Sequence, residues 1–162
     1  MSHSHDPLNP HSHEPHPEPP SADSQFTLRL PGQPAEQIDA ASLAGLPRTQ
    51  LLQQMILSTG HPATGPFDFA GVTLLDFLSS RLELAAPAFT VEVVSGDGFG
   101  TRVRGEELLT PDPAGPILLA DMIDGGPMSR QQGLVRLLVP SEKDDALRQV
   151  KWIGEIRVIH HD

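Results

Sequence analysis

Two basic residues of this chain sit where charge is costly. Arg136 lies inside Leu134-Val-Arg-Leu-Leu-Val139, and Lys151 lies inside Gln149-Val-Lys-Trp-Ile153; both have apolar neighbours. A cation on an apolar strand is expensive unless it meets an anion or turns to solvent. The chemistry such a pair supports is the holding of a phosphate, a carboxylate or a polar ring through charge-assisted hydrogen bonds. The residues alone leave a plainer arrangement open. Arg136 would then point outward with its stem over apolar surface, and Lys151 would alternate to the watered face of a sheet.

Other reactive side chains carry less. Ser58, Thr59 and His61 form a Ser-x-x-His cluster in a stretch rich in Gly and Pro. A nucleophile needs a base, an orienting group and oxyanion donors in fixed geometry, and adjacency in a loop supplies none of these. No hydrolase is expected, and no catalytic residue is assigned. Glu106-Glu107 and Asp144-Asp145 are adjacent pairs that point apart and read as solvated surface. His160-His161-Asp162 reads likewise.

Composition narrows the classes further. The chain has 162 residues and a formal charge of −10, from 11 Lys+Arg against 21 Asp+Glu. That balance argues against nonspecific binding to nucleic acid or to an anionic membrane surface. There is no cysteine. Disulfides, thiolate zinc or iron–sulfur sites and thiolate nucleophiles are therefore excluded for this sequence. No apolar run approaches the ~18 residues of a membrane span. The start shows no signal-like pattern, so a soluble, cytoplasmic protein is expected.

Residues 1–24 carry His3, His5, His11, His13 and His16, many prolines, and no Lys or Arg. A segment so poor in apolar side chains reads as a disordered tail. Its His-x-His pairs suit loose metal capture, but the spacing is not that of a closed site, so no metal ligands are assigned. Residues 25–162 read as one domain.

Within that domain, alternation and β-branching predict strands over Gln25–Leu30, Phe89–Val94, Phe99–Val103, Pro116–Ala120, Leu134–Val139 and Gln149–Ile159. The last should place Val150, Trp152, Ile156 and Val158 on one face. Short helices are expected over Asp39–Leu46, Thr73–Leu84 (with Thr73 as N-cap) and Glu106–Leu109. Thr49–Leu57 fits helix or strand, and Phe67–Phe69 fits a short strand. Ser58–Pro66 predicts a loop, Asp124–Pro127 a tight turn, and Glu142–Leu147 a surface helix or loop. Helices and strands do not alternate strictly, so the fold class is α+β: a mixed sheet with short helices.

The order of features from Ile117 onward resembles the molybdopterin-binding domain of the sulfite oxidase family of oxidoreductases. An apolar strand leads to Asp121-Met-Ile-Asp-Gly-Gly-Pro-Met128, then Ser129-Arg-Gln-Gln-Gly133, the Arg136 strand ending Val139-Pro140, and Val150-Lys-Trp152 before a final strand. Upstream, Phe69-Ala-Gly-Val-Thr-Leu-Leu-Asp-Phe-Leu78 and the Gly96-Asp-Gly-Phe-Gly100 segment resemble the family's helix start and strand–turn–strand. The likeness implies molybdopterin as cofactor. Arg136 and Lys151 would hold it, Gln149 and Val150 would give main-chain contacts, and Asp97 would give an acidic pterin contact. Arg130 would add positive field. Gln132 stands where the family has a histidine and would offer a hydrogen bond without charge.

The family also ligates molybdenum through a cysteine, expected near Met55–His61, and this sequence has none. An alkoxide from Ser58 or Thr59 is a poor substitute for a soft thiolate. The expected function is binding of a pterin cofactor or related anionic ligand, without assured redox chemistry. The alternatives are a non-catalytic interaction module on the same fold, or metal binding by the histidine tail.

Overall fold

A computed structural model describes residues 25–58, 61–84, 88–96, 98–129, 134–141 and 150–161. The 1–24 tail therefore lies outside the described residues, as do Asp97, Arg130, Gln132, Gln149 and the 142–147 segment.

The first sheet is built from β1 (Phe26–Arg29), β2 (Glu36–Ile38), β5 (Phe89–Ser95), β6 (Gly100–Arg104) and β10 (Ile153–His160), in the order β2-β1-β10-β5-β6. The chain's last strand thus lies at the centre, parallel to β1 and antiparallel to β5. The second sheet runs β3 (Thr49–Ser58), β4 (His61–Thr73), β7 (Leu118–Ile123) and β8 (Gly126–Pro127), and β9 (Arg136–Leu138) also pairs with β7. Three short helices complete the domain: α1 (Ala40–Ala44), α2 (Leu74–Ser79) and α3 (Gly105–Leu109). This is the mixed α+β architecture expected.

One core joins the layers. Phe26, Leu28, Val91, Val93, Ile156 and Val158 from the first sheet share a buried cluster with Val72, Leu119 and Leu137 from the second. Leu43, Leu74, Phe77, Leu78 and Leu108 bring the helices into it. Capping fixes where two helices begin. The Asp39 carboxylate accepts from Ser42 N–H at α1, and Thr73 Oγ1 accepts from Asp76 N–H at 3.0 Å at α2. A second, smaller cluster lies on the other face of the second sheet: Leu51, Phe69, Leu118, Ala120, Ile123, Met128 and Leu138.

Three local expectations need correction. Of the two readings open for Thr49–Leu57 the structure takes strand, while the predicted loop Ser58–Pro66 is largely the returning strand β4, with Ser58 opposite His61. Its Gly and Pro residues disturb the ladder without ending it; register shifts follow Leu51, Gln54 and Ile56, and the Gly65-Pro66 bond is cis. The turn after β7 is tighter than Asp124–Pro127. Asp124 and Gly125 take φ of 48° and 85°, and Gly126–Pro127 already pairs back as β8. In the last strand the buried set is Val150, Ile153, Ile156 and Val158, with Trp152 only half-buried. Trp152 has φ 53°, and the register shifts between Ile153 and Glu155, which moves Ile153 into the place that alternation gave to Trp152.

Candidate functional site

Arg136 is the middle of the site. It opens β9, where Ala120 of β7 is its register partner, and Ala120 in turn pairs with Gly71 of β4. Successive side chains of a strand face opposite ways. Val135 and Leu137 enter the large core, so Arg136 shares its face with Leu138 and Ala120, in the smaller cluster. Close strand approach makes room there. A Cβ on Gly71 would lie 1.9 Å from the Leu119 carbonyl oxygen, so only glycine permits this β4–β7 contact.

The Arg136 residue keeps only 7% of its surface exposed. Burial pulls its guanidinium pKa down to about 10, since a charge deprived of water is harder to keep. Its Nε is buried without a hydrogen bond, while the side chain interacts elsewhere.

On its other edge β9 meets the segment that carries Lys151. Leu137 N–H donates to the Val150 carbonyl at 2.7 Å, and Val150 N–H returns to Leu137 at 3.3 Å. The next bond runs from Ile153 N–H to the Val135 carbonyl at 3.3 Å. Two residues, Lys151 and Trp152, thus span the position opposite the single residue Arg136, and the positive φ of Trp152 accommodates the extra one. Lys151 is exposed, and its Nζ lies 4.3 Å from the Trp152 ring centroid, a cation–π contact.

The β5–β6 turn closes the third side. Gly96 N–H donates to the Trp152 carbonyl at 2.7 Å, and Ser95 N–H donates to Phe99 at 2.7 Å. A Cβ on Gly154 would come within 3.2 Å of Gly96 backbone atoms, so the glycine at 154 eases the close approach of this turn to β10. The turn is the one that carries Asp97, itself outside the described residues.

Three segments distant in sequence are therefore neighbours: the 95–98 turn, β9 and Val150–Ile153. Val150 is buried against Leu137 and exchanges both its backbone groups with it. Arg130, Gln132 and Gln149 belong to segments outside the described residues, so their side chains have no described place. Sequence reasoning missed Trp152 as a local partner of Lys151, because alternation assigned the indole to the core. Gly71 and Gly96 were present in the quoted motifs and Gly154 in the last predicted strand, but only the register shows what each approaches.

The segment in which the resemblance seeks a cysteine lies elsewhere. Met55–Ser58 and His61 lie toward the far end of the β3–β4 hairpin, and His61 is ten residues along β4 from Gly71, in the row of Arg136. At the usual strand rise that is about 30 Å. Among the described residues no group of three or more His, Cys, Asp or Glu side chains could hold a metal ion. No helix among them is long and apolar enough to cross a membrane.

Several other polar and charged groups among the described residues are paired for structure. Arg48 meets Asp121 of β7 with both guanidinium nitrogens, Nη1 to Oδ2 at 3.0 Å, and these bonds raise the Arg48 pKa above its ordinary value. Glu107 caps α3 by accepting from Arg104 N–H at 2.8 Å. His161 contacts Thr90 Oγ1 through Nε2 at 2.6 Å.

The family model described as the oxidoreductase molybdopterin binding domain matches residues 23–162. Among solved structures, the sulfane dehydrogenase SoxCD from Paracoccus pantotrophus is similar, with a TM-score of 0.60 and 15% identity. The match covers 83% of this chain and 38% of that one, so the chain spans well under half of its structural neighbour. At that identity the likeness concerns the fold. No curated protein matches the chain.

Proposed function

The chain belongs to the oxidoreductase molybdopterin-binding domain family, and from that premise we propose that it binds a phosphorylated pterin or a related anionic ligand at Arg136 and Lys151. The observation that carries the reading is the placement of a nearly buried arginine directly across a bulge from an exposed lysine and a half-buried tryptophan. A buried cation and an adjacent mobile-stemmed one suit a phosphate, and the indole face and the backbone groups of the 95–98 turn suit a flat polar ring. Asp97, Arg130, Gln132, Gln149 and, since the Val150 N–H is spent on Leu137, the second lone pair of the Val150 carbonyl complete the proposed ligand set.

The donor set fits the two halves of the cofactor unequally. Arg136 and Lys151 suit the phosphate and pterin. The metal half, as the family holds it, calls for a soft thiolate from the protein, and the sequence contains no cysteine. When bound, a pterin dithiolene supplies sulfur ligands of its own; the chain's contribution is to bind and orient the anion. The proposed activity is therefore binding without redox turnover.

The test is a purification from a host that makes molybdopterin, followed by acid release of fluorescent pterin, elemental analysis and thermal unfolding with added molybdopterin. Released pterin, and a melting temperature that rises with ligand, are expected. A ligand at a hundred times its Kd adds about 2.7 kcal/mol to the folded state. Absence of pterin together with an unchanged melting temperature overturns the reading and leaves the interaction module on the same fold.

A further inference from the structure

The β3–β4 hairpin extends well beyond its sheet. β4 pairs with β7 only from Phe69 to Thr73, whereas its pairing with β3 continues to Ser58 and His61. Beyond Phe67 the two strands form a ribbon with β3 at the sheet edge. A two-stranded ribbon is marginal in water by itself, and among its described side chains only Ile56 and Phe67 pack partly against the smaller cluster. Leu52 and Met55 are 57% and 38% exposed on the edge strand.

The charge pattern is the second observation. From Thr49 to Phe67 there is no Asp, Glu, Lys or Arg, although 20% of the chain is charged and its net charge is −10. β3 also lacks proline. Edge strands are ordinarily guarded by such residues against pairing with another chain. β3 carries a different device: Gln53 has φ 58° and turns its N–H inward to Asp68 Oδ1 at 3.0 Å. That irregularity divides the edge and limits how far a partner strand can run.

We propose that the β3 edge pairs with the β3 edge of a second copy of this chain, antiparallel about a two-fold axis. Two copies at −10 repel wherever charged surfaces meet, and like charges set directly opposite across strands are destabilising. The uncharged edge is the stretch along which two such chains come within strand spacing without that repulsion. A strip without charge offers a charged partner nothing to read, but it is complementary to itself, as a two-fold interface requires. The interrupted edge makes the contact small and the dimer weak, strengthening with salt as the net repulsion is screened.

Sedimentation velocity of the full chain from about 10 to 500 μM, at low and high salt, reads this directly. A concentration-dependent dimer, favoured by salt, is expected, and Met55→Lys should weaken it at least tenfold while leaving the melting temperature within 2–3 °C. The cysteine-free background supplies an independent readout. Met55→Cys should cross-link between copies under mild oxidation, and Glu106→Cys, exposed on α3, should not. A monomer at every concentration and salt, or a dimer indifferent to Met55→Lys with equal cross-linking from both cysteines, overturns the proposal.

Discussion

Arg136→Met separates a residue kept for a ligand from one kept for the fold. Methionine retains an unbranched stem of similar length to pack beside Ala120 and Leu138 and removes the charge. Burial lowers the guanidinium pKa by more than two units from its ordinary value, to about 10. At 1.36 kcal/mol for each pH unit, holding it charged in the folded state costs about 3 kcal/mol. The sign follows from proton binding. As pH rises past about 10 the folded chain gives up the proton before the unfolded one does, so at neutral pH, below both values, the whole cost is present. Contacts that the side chain does make offset part of it. The variant should therefore be more stable without ligand by about 1–3 kcal/mol. For a chain of this size that raises the melting temperature by roughly 2–4 °C per kcal/mol. Differential scanning calorimetry measures it, with urea unfolding as a check. In molybdopterin or inorganic phosphate the order should reverse, because only the wild-type chain gains from the anion. A variant destabilised by more than about 1 kcal/mol without ligand would refute the reasoning, since the arginine's contacts would then outweigh the cost of burying it.

The other predictions test the ligand pair and the framework that holds it. Lys151→Met should leave urea unfolding within about 0.5 kcal/mol of wild type, since the residue is exposed, yet weaken binding of the phosphorylated pterin about tenfold by fluorescence titration. Gly71→Ala should cost more than about 3 kcal/mol or prevent folding, because the new Cβ would meet the Leu119 carbonyl at 1.9 Å; yield and circular dichroism report it. Thr73→Ala removes the α2 cap and should cost about 1 kcal/mol in urea. At Glu155, burial pushes the carboxyl up, but hydrogen bonds from Arg29 and Arg157 outweigh it and hold the pKa below the ordinary 4.5. Its contribution is thus present above that value and lost as pH falls through the folded one, so Glu155→Gln should flatten the acid limb of the stability profile below about pH 4.5.

The sequence by itself determined the elements whose signals are local. Phe26–Arg29 and Phe89–Ser95 are strands because their side chains alternate, and α1 and α2 start where Asp39 and Thr73 cap them. It also determined the absence of a thiolate, and it drew attention to Arg136 and Lys151 through the energetic oddity of cations among aliphatics. The remainder depends on which strands meet. Ser58–Pro66 reads as loop from its Gly and Pro content, yet β3 supplies register partners to His61 and Thr64, and cross-strand pairing overrides composition there. Trp152 leaves the core because the chain fits two residues opposite Arg136, a bulge visible only once Val150 and Ile153 have bonded to β9. The burial of Arg136 and its place opposite Lys151 are likewise tertiary facts. Residue type can show that a charge is out of place, but its depth and its neighbours follow from the register of strands brought together across fourteen residues of intervening chain, which no local pattern encodes.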